Sequence, residues 1–249
     1  MSAKVMVVTG ASRGIGGAIA GLAGKRGYAV CVNYARSREP AETLAATINA
    51  GGGKAVAIQA DVSVDTEVKR LFAEVDRTLG RVDVLVNNAG IIGRQCRVDE
   101  IDAKLLAEVF AANVYSVFYC SREALRRMST KHGGKGGAIV TVSSVAARTG
   151  GIPMESHYAA SKGALDSFTI GLAKEVGTEG VRVNAVRPGF ILTAIHEVHG
   201  GDATARAVAP TVPIGRVGEP AEVAEAVLWL ASDAASYLHG AIIDVSGGR

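Results

Sequence analysis

Seven short apolar, β-branched runs, separated by longer amphipathic segments, constrain this chain more than any single motif. The runs lie at 5–8, 29–32, 55–58, 82–86, 139–142, 181–186 and 242–245. They are nearly continuous in apolar residues and do not alternate with polar ones, as suits strands covered on both faces in a parallel sheet. Helical candidates occupy the intervals near 14–26, 40–50, 64–79, 101–131, 155–177 and 219–231. This alternation predicts an α/β fold, a doubly wound parallel sheet of seven strands flanked by helices and joined by right-handed crossovers. No linker, low-complexity tract or repeat splits the chain, so residues 1–249 are expected to form one domain.

Composition narrows the function classes. Apolar residues make up 48% of the 249, enough for a sizeable core. The net charge of +3 is scattered, with no basic block longer than Arg126-Arg127, which argues against nucleic-acid or membrane-surface partners. No apolar run approaches the ~20 residues of a membrane span. Met1 to Thr9 runs directly into the first strand, so no signal peptide is expected. Cys31, Cys96 and Cys120 are far apart and lack metal or redox spacing. They read as idle thiols of a reducing compartment, so a cytoplasmic protein is expected.

The first strand leads into Thr9-Gly10-Ala11-Ser12-Arg13-Gly14-Ile15-Gly16, which opens the first helix. Glycines let backbone approach a pyrophosphate, and the helix N-terminus offers free N–H groups and a favourable dipole. Any tight strand-to-helix turn favours glycine, but the position at the first crossover points to dinucleotide binding. The second strand should end beside the adenosine ribose, where an acidic residue favours a free 2′-hydroxyl and arginine a 2′-phosphate. Here it ends Asn33-Tyr34-Ala35-Arg36-Ser37-Arg38, with no carboxylate before Glu39, and Arg13 faces the same place from the glycine turn. Bidentate arginine contacts suit a phosphate, so NADP(H) is preferred over NAD(H). The competing reading makes Arg36 and Arg38 solvated loop charges. Asp61-Val62 ends the third strand, where the carboxylate either accepts from the adenine amino group or caps the next helix. Asn87-Asn88-Ala89-Gly90 ends the fourth, small and polar where backbone passes close to the cofactor.

Three further positions carry chemistry. Asn113 sits among Leu105, Leu106, Val109, Phe110, Val114 and Val117, where its amide is costly unless hydrogen-bonded. It either satisfies backbone groups and bends its helix, or holds a water near the reaction centre; taken alone it favours the first. Ser144, after Ser143 at the end of the fifth strand, can donate to a substrate oxygen. It is not in a G-x-S-x-G elbow, and no His–carboxylate pair makes it a nucleophile. Tyr158 and Lys162 are four apart in the helix at 155–177 and share one face. A tyrosine ionises near 10, and a neighbouring ammonium is expected to bring that value down towards working pH. Tyr and Lys at this spacing also occur by chance, so the pair gains weight only in company.

In that company the chain resembles the short-chain dehydrogenase/reductase family, with likeness to 3-oxoacyl-ACP reductase and glucose dehydrogenase-like members. The resemblance rests on the Thr9–Gly16 turn, Asn87 to Gly90, Asn113, Ser144, Tyr158-x-x-x-Lys162 and Pro188-Gly189, and it spans essentially the whole sequence. It implies a Rossmann fold, NADP(H), and a carbonyl or secondary alcohol as small-molecule substrate. Tyr158 would exchange the proton, Ser144 would hold the substrate oxygen, and Lys162 would hold the nicotinamide ribose and lower the Tyr158 pKa. Asn113 would support a water. Pro188, Gly189, Ile191 and Thr193 would border the nicotinamide, and a homotetramer or homodimer would form through the helices at 101–131 and 155–177 and the last strand. Ser144 and Tyr158 are fourteen residues apart, one more than in many members, so a small insertion is expected at 150–155.

The segment from Gly189 to Pro220, with four of the six prolines (Pro188, Pro210, Pro213 and Pro220) at its ends or within it, is the expected specificity element, and 190–215 the substrate lid. Its His196, Glu197 and His199 have H-E-x-H spacing, one residue short of a zinc protease motif, so no metal is expected. His157 reads as a pocket wall or a solvated ring. A catalytically silent dinucleotide sensor or scaffold is the alternative, disfavoured by the intact Ser144, Tyr158 and Lys162. A sugar-nucleotide epimerase is disfavoured by chain length and glycine spacing.

Overall fold

In a computed structural model, which describes residues 3–193 and 207–249, all seven apolar runs are strands of one sheet. They are β1 (Val5–Val8), β2 (Ala29–Tyr34), β3 (Lys54–Gln59), β4 (Val82–Asn87), β5 (Gly137–Val142), β6 (Val181–Pro188) and β7 (Ile242–Val245). Neighbours pair in parallel in the order β3-β2-β1-β4-β5-β6-β7. Strand β1 shows why these runs do not alternate with polar residues. Met6 and Val8 enter one apolar layer with Val30 and Val32, while Val5 and Val7 enter the other with Ala29 and Cys31. Both faces are covered, so every position is apolar.

The helices are α1 (Gly14–Lys25), α2 (Arg38–Ala50), α3 (Asp65–Thr78), α4 (Ala103–Phe110), α5 (Ser116–Met128), α6 (Ala146–Thr149), α7 (Ser156–Val176) and α8 (Pro220–Ala231). Ile19 of α1, Ala41 of α2 and Val223 and Leu228 of α8 fill one layer. Leu71 and Phe72 of α3, Cys120 of α5 and Leu172 of α7 fill the other. Burying each such large side chain contributes roughly 1.5–3 kcal/mol, which orders the sheet and hence its carboxyl edge. Among the described residues, no helix is long and apolar enough to cross a membrane.

Three departures from the sequence reading have local causes. The helix expected over 101–131 is broken into α4, a π-helical turn over Ala111–Tyr115, and α5. The break falls at Asn113, whose amide bonds to a loop outside its own helix. Helix α2 begins two residues before the expected 40, because Pro40 sits in its first turn, where no N–H is required. Helix α6 is too short to leave a periodic signal. Beyond it, residues 150–155 turn back through Gly150, Gly151 and Met154, with φ of 83°, 80° and 71°. Half of the expected lid, residues 194–206 with His196, Glu197, His199 and Gly200-Gly201, lies outside the described residues.

The order in which strands are added to the sheet reverses between β1 and β4. At such a switch point the loops leaving the carboxyl ends part and leave a crevice. The loops after β1, β4, β5 and β6 all lead there.

Candidate active site

The crevice is a cleft of about 1170 Å³. Ordinary ligand pockets occupy roughly 300–1,000 Å³, so it has room for a dinucleotide and a second molecule. Its floor is the glycine turn, tied to the end of β4. Thr9 Oγ1 accepts from the N–H groups of Asn88 and Ala89, both at 3.0 Å, and the Asn88 amide donates to the carbonyls of Thr9 (2.9 Å) and Gly10 (3.1 Å). A Cβ on Gly16 would overlap that amide and lie 2.5 Å from the Gly10 carbonyl oxygen, so only glycine fits. Gly10 and Gly14 adopt φ of 62° and 58°, where side chains are strained. The first turn of α1, Gly14-Ile15-Gly16, has no side-chain cap and no acidic residue. It lines the cleft beside Ser12 and Arg13, and a helix N-terminus there is suited to a pyrophosphate.

At one end of the cleft, Asn33 fixes the tip of β2. Its Nδ2 donates to the carbonyls of Ile58 (3.2 Å) and Ala60 (3.1 Å), and its Oδ1 accepts from Gly10 N–H at 3.3 Å. Buried Tyr34 and exposed Arg36 follow on the cleft wall, opposite exposed Arg13. Among the described residues neither the Arg13 nor the Arg36 guanidinium has a hydrogen-bond or ion-pair partner, whereas Arg38 pairs with Glu42 at 2.8 Å. Asp61 does not cap α3 itself. Its Oδ1 accepts from Ser63 N–H (3.0 Å) and Oγ–H (2.6 Å), a turn that leads into α3, and Val62 lies beside it in the wall.

At the other end stand Ser144, Tyr158 and Lys162. The Tyr158 hydroxyl is hydrogen-bonded to that of Ser144, which also accepts from Ala146 N–H at 3.1 Å. Ser143 turns inward instead and donates to the Lys162 carbonyl at 3.2 Å. Lys162 is buried; its Nζ donates to the Val142 carbonyl at 2.9 Å and lies 5.8 Å from the centre of the Tyr158 ring. Burial brings the Lys162 ammonium down to about 8, with Asp166 opposing the change.

Burial pushes the Tyr158 phenol up to about 12; the bond to Ser144 pulls the other way and the Glu155 carboxylate adds to the rise. This reverses the expectation that Lys162 brings the phenol down towards neutrality. Desolvation is the largest cause, and the Lys162 amine donates to the Val142 carbonyl rather than to the phenol. Tyr158 therefore keeps its proton at neutral pH.

Asn113 is fully buried in the π turn. Its Oδ1 accepts from Ile91 N–H at 2.8 Å, and its Nδ2 donates to the Ile91 carbonyl and to Ser161 Oγ, both at 2.9 Å. The backbone-satisfying role is thus observed, while a Cβ on Gly90 would lie 3.0 Å from its Oδ1 and 3.5 Å from Lys162 Nζ. Pro188, Gly189, Ile191 and Thr193 form the wall after β6, and Thr193 packs over Gly14.

Of the residues singled out from sequence, Asn87 stands apart. Its buried amide donates to Ser121 at 3.1 Å, on the far side from the cleft. The next asparagine, Asn88, lines the cleft with Ala89 and Gly90. Sequence reasoning also missed Thr9 and Asn33, which lace the strand ends, and Glu155, a buried carboxylate in the cleft wall held by Gln95 at 3.0 Å. His157 is buried, not solvated, and its Nε2 lies 3.1 Å from the Ile92 carbonyl.

Comparison with known proteins places this geometry in a family. The family model described as enoyl-(acyl carrier protein) reductase matches residues 10–249. The chain is 46% identical to "Uncharacterized oxidoreductase YgfF" of Escherichia coli, over 98% of this chain and 99% of that one. It is 39% identical to a 3-oxoacyl-[acyl-carrier-protein] reductase of Synechocystis, over 100% and 97% of the two chains. Among solved structures, a mutant short-chain dehydrogenase/reductase of Serratia marcescens superposes with a TM-score of 0.91 at 34% identity, covering 99% of this chain and 98% of that one. The chain belongs to the short-chain dehydrogenase/reductase family and is an NAD(P)-dependent oxidoreductase.

Proposed function

We propose that the protein interconverts a carbonyl and a secondary alcohol, with NADP(H) as its preferred cofactor and Tyr158 as the proton donor and acceptor. The observation that carries this reading is the hydrogen bond between the Tyr158 and Ser144 hydroxyls inside the cleft, one helical turn from buried Lys162. A bound nicotinamide supplies or takes up a hydride. The chain's own residues manage the oxygen. A carbonyl oxygen beside Tyr158 and Ser144 meets two O–H donors; Ser144 stabilises the negative charge that develops there, and Tyr158 gives its proton. Lys162 presents its ammonium beneath Tyr158 and binds the ribose, and Asn113 supports a water leading from Lys162 to solvent. In oxidation the proton returns to Tyr158.

The preference for NADP(H) rests on Arg36, just past the end of β2, and Arg13 in the glycine turn, two guanidiniums with no partner among the described residues, and on the lack of a carboxylate between Asn33 and Arg38 to take a ribose 2′-hydroxyl. NAD(H) is the second choice. Asp61, Val62, Ala89 and Gly90 would flank the adenosine half, and Pro188, Gly189, Ile191 and Thr193 the nicotinamide. Aliphatic walls at Ile91, Ile92, Val145 and Ile152 suit an apolar carbonyl compound. The relative named 3-oxoacyl-[acyl-carrier-protein] reductase supports a carbonyl substrate and the reductive direction.

We read residues 1–249 as one cofactor-binding and catalytic unit, with 190–215 as its lid. Exposed Leu106, Tyr115, Phe118 and Ile170 on α4, the π turn, α5 and α7 support pairing into a homodimer or homotetramer. Three unpaired, buried cysteines support a cytoplasmic location. The silent sensor is not favoured, because binding alone needs no poised proton donor. Following NADPH and NADH absorbance with a panel of ketones and aldehydes tests the reading; binding of NADPH with no oxidation by any carbonyl compound would refute it.

A further inference from the structure

One turn beyond Lys162, on the buried side of α7, stands Asp166. Tyr158, Lys162 and Asp166 succeed one another at four-residue steps and stack along one face. Asp166 is 7% exposed. Its Oδ2 accepts from Arg187 Nε at 2.8 Å and lies 2.7 Å from Nη2, while its Oδ1 has no hydrogen-bond partner among the described residues. An unpaired buried carboxylate oxygen is destabilising, so its retention calls for a reason. Arg187 of β6 also faces Asp244 of β7 at 3.5 Å, and Asp244 faces Arg148 of α6 at 3.4 Å. These two guanidiniums balance the two carboxylates, so the negative charge beside Lys162 is tempered but not removed.

The other groups around the Lys162 amine are neutral. Val142 of β5 supplies a carbonyl, Asn113 from the π turn and the amine both lie against Gly90, and Tyr158 from α7 keeps its proton. Glu155 acts on Tyr158 from the start of α7. Asp166 is the carboxylate whose field reaches Lys162.

We infer that Asp166 is a positioning residue whose carboxylate keeps Lys162 an ammonium in the working pH range, and that Arg187 sets the strength of that effect. This rests on the proposed reaction for the use made of Lys162, but its test does not need turnover. The side-chain carbon next to the Lys162 amine is followed by NMR through a pH titration of the ligand-free protein, assigned by Lys162→Arg. The wild-type midpoint is expected near 8. Asp166→Asn lowers it by about one pH unit, as loss of a nearby opposite charge does. Asp166→Glu, which keeps the charge, leaves it near wild type, and Arg187→Gln raises it. The alkaline limb of kcat/KM moves in the same order. An unchanged midpoint in Asp166→Asn, or a fall in Arg187→Gln, overturns the inference. If Asp166→Asn does not fold, the direction of the Arg187→Gln shift decides. Opposed shifts in a protein that never oxidises NADPH would uphold this inference while refuting the proposed reaction.

Discussion

The Tyr158 hydroxyl meets the Ser144 hydroxyl although the two residues lie on different elements, one on α7 and the other past the end of β5. Helix α7 brings Tyr158 there because, further along the same side, the helix is packed on the sheet through Leu172, Ala173 and Val176, and Ser143 pins the Lys162 carbonyl to the strand end. The donor pair is thus set by the core.

Arg36→Asp should move cofactor preference towards NAD(H). The change removes a cation at the end of β2 and adds a carboxylate suited to a ribose hydroxyl. A charged hydrogen bond contributes about 1.5–3 kcal/mol, so the ratio of kcat/KM for NADPH over NADH should fall roughly tenfold to a hundredfold. Steady-state kinetics with both cofactors checks it; an unchanged ratio places the 2′-phosphate elsewhere.

Gly16→Ala should weaken both fold and cofactor binding. The added methyl meets the Gly10 carbonyl oxygen and the Asn88 amide, both held by hydrogen bonds. Overpacking of this kind costs about 1–3 kcal/mol. Urea denaturation should show that loss, and NADPH titration a weaker affinity; wild-type values for both would mean that the turn has slack.

Lys162→Met should separate stability from function. The Lys162 amine ionises at about 8 when folded against an ordinary 10.5. The unfolded chain therefore binds more protons between those values, and stability rises with pH across that window. The cost of the buried ammonium is full below pH 8 and fades towards 10.5. Methionine should recover up to ~3 kcal/mol near pH 7, less the lost bond to Val142, and little at pH 10.5. Melting curves over pH check the sign. A loss of stability that grows towards acid pH would contradict it.

The kcat/KM for carbonyl reduction should fall as pH rises through about 8, when free enzyme loses the Lys162 proton while Tyr158, at about 12, still keeps its own. A profile flat to pH 10 would mean that the ammonium is not needed.

The fold was legible because seven apolar runs cannot be solvated and only a sheet covered on both faces buries them all. The cleft was legible in the same way, since its residues sit at strand ends in order. The break at Asn113 was not, because Val109, Phe110, Val114 and Val117 keep a helical rhythm straight through the π turn. Two adjacent asparagines look alike in sequence, until the pleat sends the Asn87 amide to Ser121 and that of Asn88 to the glycine turn. The acidity of Tyr158 was misjudged for a related reason. Four-residue spacing reveals Lys162, whereas the desolvation that dominates comes from residues distant in sequence.

The most direct test is Tyr158→Phe, assayed for both carbonyl reduction and NADPH binding. Only the hydroxyl is removed, so NADPH affinity should stay within about threefold of wild type while kcat/KM falls by roughly two to four orders of magnitude, as loss of a general acid does. Reduction at more than a tenth of the wild-type rate would contradict the assignment of Tyr158 as proton donor.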